Sequence, residues 1–353
     1  MDKVRLAMVG CGMMGQTVHL QNFLKAPNCE VVAVCDQDEE LAAKVAARYH
    51  IPAAFGSVDD LLRGAEFDAA AAIVLWPANT SVAIPLLDAG KHVYLEKPIA
   101  NSSVEANAMA DAADRNGVQL MVAYMKRYDP GVELAKRLID ETVADGSMGA
   151  LHAARFHQFD GDWTVGYNVP RITSARPVAG PPQSQGVPDF VREEDRDFFA
   201  ADLAYMCHSV NLIRHLIGDP AGVRFAALKD KRLCTPRRVV LLDYGEFDCL
   251  WETGHTTTPF FDEGGIVRFE KGWIRLAVHA PLRVGAPADV EVFRDGRLER
   301  HHPGWGWSFE REAEHFVQCV LNGVPVRSPG RDAARDVALM EAIYQSTVGD
   351  GTG

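Results

Sequence analysis

The sequence lacks most of the features that would place it on a membrane, on a nucleic acid or in a disulfide-stapled scaffold. Its longest apolar run, Ala69 to Trp76, is far short of the roughly 20 residues a spanning helix needs. The charge balance is acidic. The 36 Lys and Arg stand against 48 Asp and Glu, a net charge of −12, whereas nucleic acids and anionic membranes call for the opposite sign. The seven cysteines (Cys11, Cys29, Cys35, Cys207, Cys234, Cys249 and Cys319) are odd in number and contain no C-x-x-C pair. They read as buried or free thiols in a reducing compartment, not as a disulfide framework or a zinc site. His301-His302 is no metal pair either, because adjacent side chains diverge and no third ligand follows at useful spacing. The N-terminus runs straight into an apolar strand pattern with no targeting peptide. The expectation is a cytoplasmic protein with no metal and no nucleic-acid or membrane partner.

What is present is ordinary in amount and specific in arrangement. With 353 residues, 47% hydrophobic and 24% charged, the chain can build two domains with sizeable cores. Val4 to Val9 reads as a buried parallel strand, Gly10-Cys11-Gly12-Met13-Met14-Gly15 as a tight turn, and Gln16 to Lys25 as a helix. A second strand from Glu30 to Val34 ends at Cys35-Asp36, about 21 residues past the last glycine. That strand–turn–helix–strand context makes a G-x-G-x-x-G the dinucleotide fingerprint. Gly10 permits the turn, Gly12 admits a pyrophosphate to the backbone, and Gly15 lets the helix pack closely. Met13 and Met14 line the loop, and the first N–H groups of the helix face the phosphates. A carboxylate at Asp36 accepts from a ribose 2′-OH and repels a 2′-phosphate, and Gln37-Asp38-Glu39-Glu40 supplies no cation to reverse that. NAD is expected in preference to NADP.

Alternating strand and helix patterns continue to residue 124, ending in the strand Gln119 to Tyr124, and predict a doubly wound parallel Rossmann sheet over 1–124. Within it, Phe67 to Leu75 reads as one central strand, and Ser102-Ser103-Val104-Glu105 as a capping box. Beyond it, a helix from Gly131 and six longer strands between Leu151 and Val278 predict an α+β domain over 125–353 with a large, mostly antiparallel open sheet. The stretch 161–194, dense in Pro and Gly, is too long for a plain connection and reads as a lid or an oligomer arm.

Candidate chemistry lies at two places. Lys91 to Leu95 delivers Glu96-Lys97-Pro98 to the carboxyl edge of the sheet, where open α/β folds bind ligands. The proline holds Lys97 extended, so its ammonium can relay a proton as a hydroxyl is oxidised. Trp76, Pro77 and Asn79, after the preceding strand, are candidates to line the cofactor with Glu96 and Lys97. The second place is a helix running from Asp202 to a stop at Gly218-Asp219-Pro220. There His208, Asn211 and His215 share a face, and His208 with Asn211 can position and protonate a polyol oxygen. Weaker candidates for contact with a polyhydroxylated substrate are Arg127 and Tyr128, at the end of the last Rossmann strand, and His157 and Trp163, where a strand meets the 161–194 loop.

The glycine fingerprint, Gly90-Lys91-His92-Val93 through Glu96-Lys97-Pro98, the His208 to Gly218 helix and the closing run Phe309 to Ser346 with Asn322-Gly323-Val324-Pro325 resemble the glucose–fructose oxidoreductase/inositol dehydrogenase (Gfo/Idh/MocA) family. The resemblance implies an NAD(P)-dependent dehydrogenase or reductase acting on CH–OH groups of a sugar, aminosugar or cyclitol. It also implies an open sheet that forms homodimers or homotetramers, Lys97 as the proton-transfer residue and His208 as a substrate or acid–base residue. The chain departs from the family where carboxylates often flank this histidine, carrying Ala204 and Asn211 instead. Asp202 lies about 200° round an ideal helix from position 204 and substitutes only if the helix start is irregular. Either Lys97 handles the proton alone, or Tyr124, Tyr128, His157 or Asp202 assists. Two alternatives stay open: tightly held NAD used transiently for epimerisation, elimination or glycoside cleavage, and a non-catalytic NAD-binding regulator.

Overall fold

The computed structural model describes residues 2–165, 167–175, 180–229 and 236–349; Cys234 and part of the 161–194 stretch, Gly166 and residues 176–179, lie outside them. The chain gathers into two compact units. One holds the chain up to Tyr124 with Asn168–Ala200 and Phe309–Val337; the other holds Met125–Tyr167, Ala201–Ser308 and the chain from Ala338 on.

The first unit is built on six parallel strands, β1 (Val4–Val9), β2 (Cys29–Cys35), β3 (Ala53–Phe55), β4 (Ala69–Ala72), β5 (His92–Glu96) and β6 (Leu120–Ala123), in the order β3-β2-β1-β4-β5-β6. The central strand β4 is four fully buried alanines, whose small side chains let helices close on both faces. Those helices are α1 (Leu20–Lys25), α2 (Glu39–Tyr49), α3 (Val58–Gly64), α4 (Asn79–Asp88) and α5 (Ser103–Asn116). Their starts follow from local chemistry. Asp38, Ser57 and Ser102 accept from the backbone N–H of Leu41, Asp60 and Glu105, meeting donors the helix leaves unpaired. Gly117, at φ +63, ends α5.

Two strand and helix expectations shift here. The expected strand Phe67–Leu75 is regular only over Ala69–Ala72, because the chain turns through a 3₁₀ segment at Trp76–Ala78 with Pro77 inside it. The helix expected from Gln16 opens instead as a wide i→i+5 turn over Gly15–His19 before α1. All five of its residues are buried, so no side had to be left polar for solvent.

The second unit holds α6 (Pro130–Asp145), β7 (Leu151–Asp160), most of α7 (Arg196–Ile217), β8 (Gly222–Leu228), β9 (Arg238–Asp243), β10 (Asp248–His255), β11 (Asp262–Phe269), β12 (Gly272–Val278), β13 (Asp289–Arg294) and β14 (Arg297–His301). Its eight strands run β14-β13-β12-β11-β7-β10-β9-β8, antiparallel except for β7 beside β10. The hairpin β13–β14 was not anticipated, although Asp295-Gly296 is its signal. Both residues take positive φ, 51° and 73°, as a two-residue hairpin turn requires. The chain then returns to the first unit with α8 (Ser308–Asn322) and leaves through α9 (Gly330–Gly349). Between these helices, Ser328 and Pro329 cover the free edge of β6. Ser328 Oγ donates to Val122 O at 2.6 Å, Val122 N–H donates to Ser328 O at 2.9 Å, and Pro329 bridges Met121.

Candidate active site

At the carboxyl edge of the parallel sheet the glycine loop is shaped as its spacing predicts. Gly10 sits at φ +96, and a Cβ there would lie 2.1 Å from Ile73 O. A Cβ on Gly15 would lie 2.2 Å from Gly10 O, whereas one on Gly12 would meet nothing within 4 Å. Two glycines therefore exist for packing and one leaves the loop backbone open, which fits a pyrophosphate. Asp36 follows β2 with its carboxylate turned back on the loop: Oδ2 accepts from Cys11 N at 2.6 Å and Oδ1 from Asp38 N at 2.9 Å. Each oxygen keeps a lone pair for a ribose hydroxyl. Met13 and Met14 are half-buried on the loop. Trp76 offers a buried indole N–H with no acceptor among the described residues. The residues present fit a nicotinamide dinucleotide.

Lys97 ends β5 on an immobilised backbone. Asn79 Nδ2 donates to Glu96 O at 2.8 Å and Pro98 O at 2.7 Å, and Lys97 N donates to Glu96 Oε2 at 2.8 Å. Asn79 and Glu96, both expected to line the cofactor, thus have their side chains committed to this element. The other Glu96 oxygen lies 3.1 Å from His19 Nε2. Burial acts to raise Glu96, but the His19 contact and the Lys97 charge outweigh it and hold the carboxyl below its ordinary range.

Sequence reasoning missed two groups here. The first is the chain His19, Tyr94 and Glu312, all buried behind Glu96. Its signals were polar residues at positions otherwise apolar: His19 four residues past Gly15 and Glu312 between Phe309 and Ala313. The second is the course of 168–200. Ile172 pairs its backbone N–H and C=O with the Gln16 side chain at 2.9 and 3.0 Å. Ser174 Oγ bonds Asp38, Gly180 presses on Leu75, and Asn101 Nδ2 donates to Gln183 O and Gln185 O. Those four anchors follow β1, β2, β4 and β5 in turn, so the described residues of 168–175 and 180–185 run along the carboxyl edge.

In the second unit the expected substrate residues come in committed pairs. Arg127 and Tyr128 lie in a buried 3₁₀ turn (Met125–Tyr128). Arg127 Nε donates to Asn211 Oδ1 at 2.9 Å, and neighbouring Lys126 is buried against Glu263. Asp202 forms a buried salt bridge with Arg238, with an Nη1–Oδ1 distance of 3.2 Å. Because α7 is regular from Arg196, Asp202 does not turn to the His208 face and does not replace the carboxylate missing at Ala204. His208 is half-buried on α7, and Ser209 beside it bonds Gln158. His157 Nε2 is 2.9 Å from Asp262 Oδ1 and stacks near Phe159 at 6.3 Å, while Trp163 is exposed beyond β7. Among the described residues no His, Cys, Asp and Glu cluster could hold a metal, the cysteines form no disulfide, and no helix is long and apolar enough to cross a membrane.

Residues 4–124 match the sequence model of the oxidoreductase family with an NAD-binding Rossmann fold. An uncharacterised oxidoreductase of Rhizobium meliloti is 31% identical over 43% of this chain, and the match spans only 45% of its own length. The D-apiose dehydrogenase of Paraburkholderia graminis is 24% identical over 96% of this chain and 86% of its own. In three dimensions an Agrobacterium radiobacter oxidoreductase, solved with NAD+, L-tartaric acid and magnesium, superposes with a TM-score of 0.74 at 18% identity, over 99% of this chain and 97% of the other. The parallel sheet, the open glycine loop and these matches agree: residues 4–124 form an NAD-binding Rossmann domain similar to that of the Gfo/Idh/MocA oxidoreductases.

Proposed function

We propose that the protein moves a hydride between NAD and a hydroxyl or keto carbon of a sugar, aminosugar or cyclitol, with Lys97 as proton-transfer residue. The observation that carries this reading is the clamping of Lys97. Asn79 bonds the carbonyls on both sides of it and Glu96 holds its N–H, at the sheet edge where open α/β folds bind ligands. When bound, NAD supplies the two-electron acceptor. The chain's part is to hold Nζ where it takes the hydroxyl proton in oxidation, or returns it in reduction; a backbone fixed on three sides makes that position reproducible. The cofactor rests on the Gly10–Gly15 loop with its ribose on Asp36 and the Trp76 indole alongside. His208 on α7 is the second residue proposed for contact with substrate, while Asn211 and Asp202 bond Arg127 and Arg238. Absorbance at 340 nm with NAD and a panel of sugars and cyclitols tests the reading. Turnover with one substrate class, reduced about 10²–10⁴-fold in Lys97→Ala, is expected; full activity in that variant would refute the role of Lys97.

The course of 168–200 favours a second reading, in which NAD is retained between turnovers and regenerated in place. The segment is bonded to Gln16, Asp38 and Asn101, close in sequence to the glycine loop, Asp36 and Lys97, which fits a cofactor that is held rather than exchanged. NAD that co-purifies with the protein, is extracted only by denaturation and stays oxidised after turnover would support it.

A further inference from the structure

Behind Lys97 lies a line of buried titratable groups that the reaction as described does not use. Glu96 Oε1 is 3.1 Å from His19 Nε2, His19 Nδ1 is 3.2 Å from Tyr94 Oη, and Tyr94 Oη is 2.7 Å from Glu312 Oε2. Glu312 and Tyr94 are fully buried and His19 is 1% exposed. Aromatic rings pack on the chain: Phe309 edge-on to His19, and Phe23 and Phe316 edge-on to Tyr94. Glu312 Oε1 has no partner among the described residues. The charged groups acting on Glu96 are His19 and Lys97, and the one acting on Glu312 is Glu96.

Two proton arrangements satisfy the three contacts with the same number of protons. If Glu312 is ionised, Tyr94 donates to it; His19 Nδ1 must then donate to Tyr94 and Nε2 to Glu96, so the imidazole is cationic. If Glu312 is protonated, it donates to Tyr94 and Tyr94 donates to Nδ1. The imidazole is then neutral with its one N–H on Glu96. Passing between the two breaks the Glu312 O–H and Tyr94 O–H bonds and forms a new Tyr94 O–H and the His19 Nδ1–H. Burial pushes Glu312 well above the ordinary carboxylate range, and Glu96 is held below it. Burial of Glu312 thus favours the second arrangement. Neighbouring carboxyls driven apart in this way take distinct roles.

We propose that Glu312, Tyr94 and His19 are positioning residues for Lys97: the chain fixes the His19 tautomer that donates to Glu96, and so keeps Glu96 ionised against the Lys97 backbone and close to its charge. The inference rests on the proton-transfer role of Lys97. It adds that the C-terminal helix α8, distant in sequence, sets the electrostatics of that lysine.

The test uses the full chain and two near-isosteric substitutions, Glu312→Gln and Tyr94→Phe, with Lys97→Ala as the control. The ring-nitrogen NMR signals of His19, followed through a pH titration, report the chain without requiring any activity. Tyr94→Phe, which removes the donor to Nδ1, should alter the Nδ1/Nε2 proton balance of His19, whereas Glu312→Gln, whose amide N–H stands in for the protonated carboxyl, should preserve it. In the 340 nm assay Tyr94→Phe should lower kcat on the order of tenfold, leave KM within about twofold and displace one limb of the kcat pH profile, with Glu312→Gln closer to wild type and thermal unfolding of both still cooperative. An unmoved His19 titration in Tyr94→Phe overturns the proposal outright. A moved titration with an unmoved pH limb, in an enzyme that Lys97→Ala silences, overturns the positioning role alone. An active Lys97→Ala protein instead removes the proton-transfer reading, and with it the link to Lys97.

Discussion

Lys97 and His208 are the two side chains singled out for chemistry, and the structure treats their surroundings differently. Around Lys97 the polar groups hold the backbone: Asn79 bonds two carbonyls, and Glu96 takes one N–H while its other oxygen meets His19. Around His208 the polar groups of α7 are spent on distant partners, Asp202 on Arg238, Ser209 on Gln158 and Asn211 on Arg127. The first arrangement fixes the backbone that carries the proposed proton-transfer residue; the second ties α7 to its neighbours in the second unit. A buried charge already paired with a full counter-charge has little freedom to answer a substrate.

Several substitutions break or sharpen that contrast. The largest effect on rate is expected from Lys97→Ala, about 10²–10⁴-fold in kcat with unfolding temperature unchanged. The largest effect on stability is expected from Asp202→Ala, which strands the Arg238 charge in the interior at roughly 3–5 kcal/mol, measured by denaturant unfolding. If Asp202→Ala instead unfolded like the wild type and lost activity, the contrast would fail. Asn79→Ala should fall between the two, losing about tenfold in kcat and roughly 1–3 kcal/mol as Glu96 O and Pro98 O lose their donor. Asp36→Ala should weaken NAD binding about 10–100-fold while NADP binding improves or holds, read by fluorescence titration. The smallest is Glu312→Gln, read as a stability shift. A carboxyl raised by burial favours the fold most below its ordinary pKa and loses that contribution as pH rises through its folded value. The melting temperature of the variant relative to wild type should therefore climb as pH rises above the ordinary carboxylate range.

The parallel sheet, the glycine loop and Asp36 were legible because their signal is local, a period of hydrophobicity and three glycines at fixed spacing. The open antiparallel sheet was legible in outline, but β13–β14 was missed even though Asp295-Gly296 announces the turn. Partners were not legible. No local pattern pairs Asp202 with Arg238 or Lys126 with Glu263, since each pair joins elements that meet only through the sheet order. The same limit hid Glu312, whose partner Tyr94 lies more than two hundred residues earlier.

The cover that Ser328 and Pro329 place over β6 carries a consequence for how the protein is made. The last strand of the nucleotide-binding sheet is synthesised by Ala123, yet its open edge waits for residues that leave the ribosome about 200 positions later, roughly 10–40 s at ordinary elongation rates. During that interval an apolar parallel strand presents unpaired N–H and C=O groups, the kind of edge other chains add to. A nascent or prematurely terminated chain should therefore lean on chaperones far more than the finished protein does.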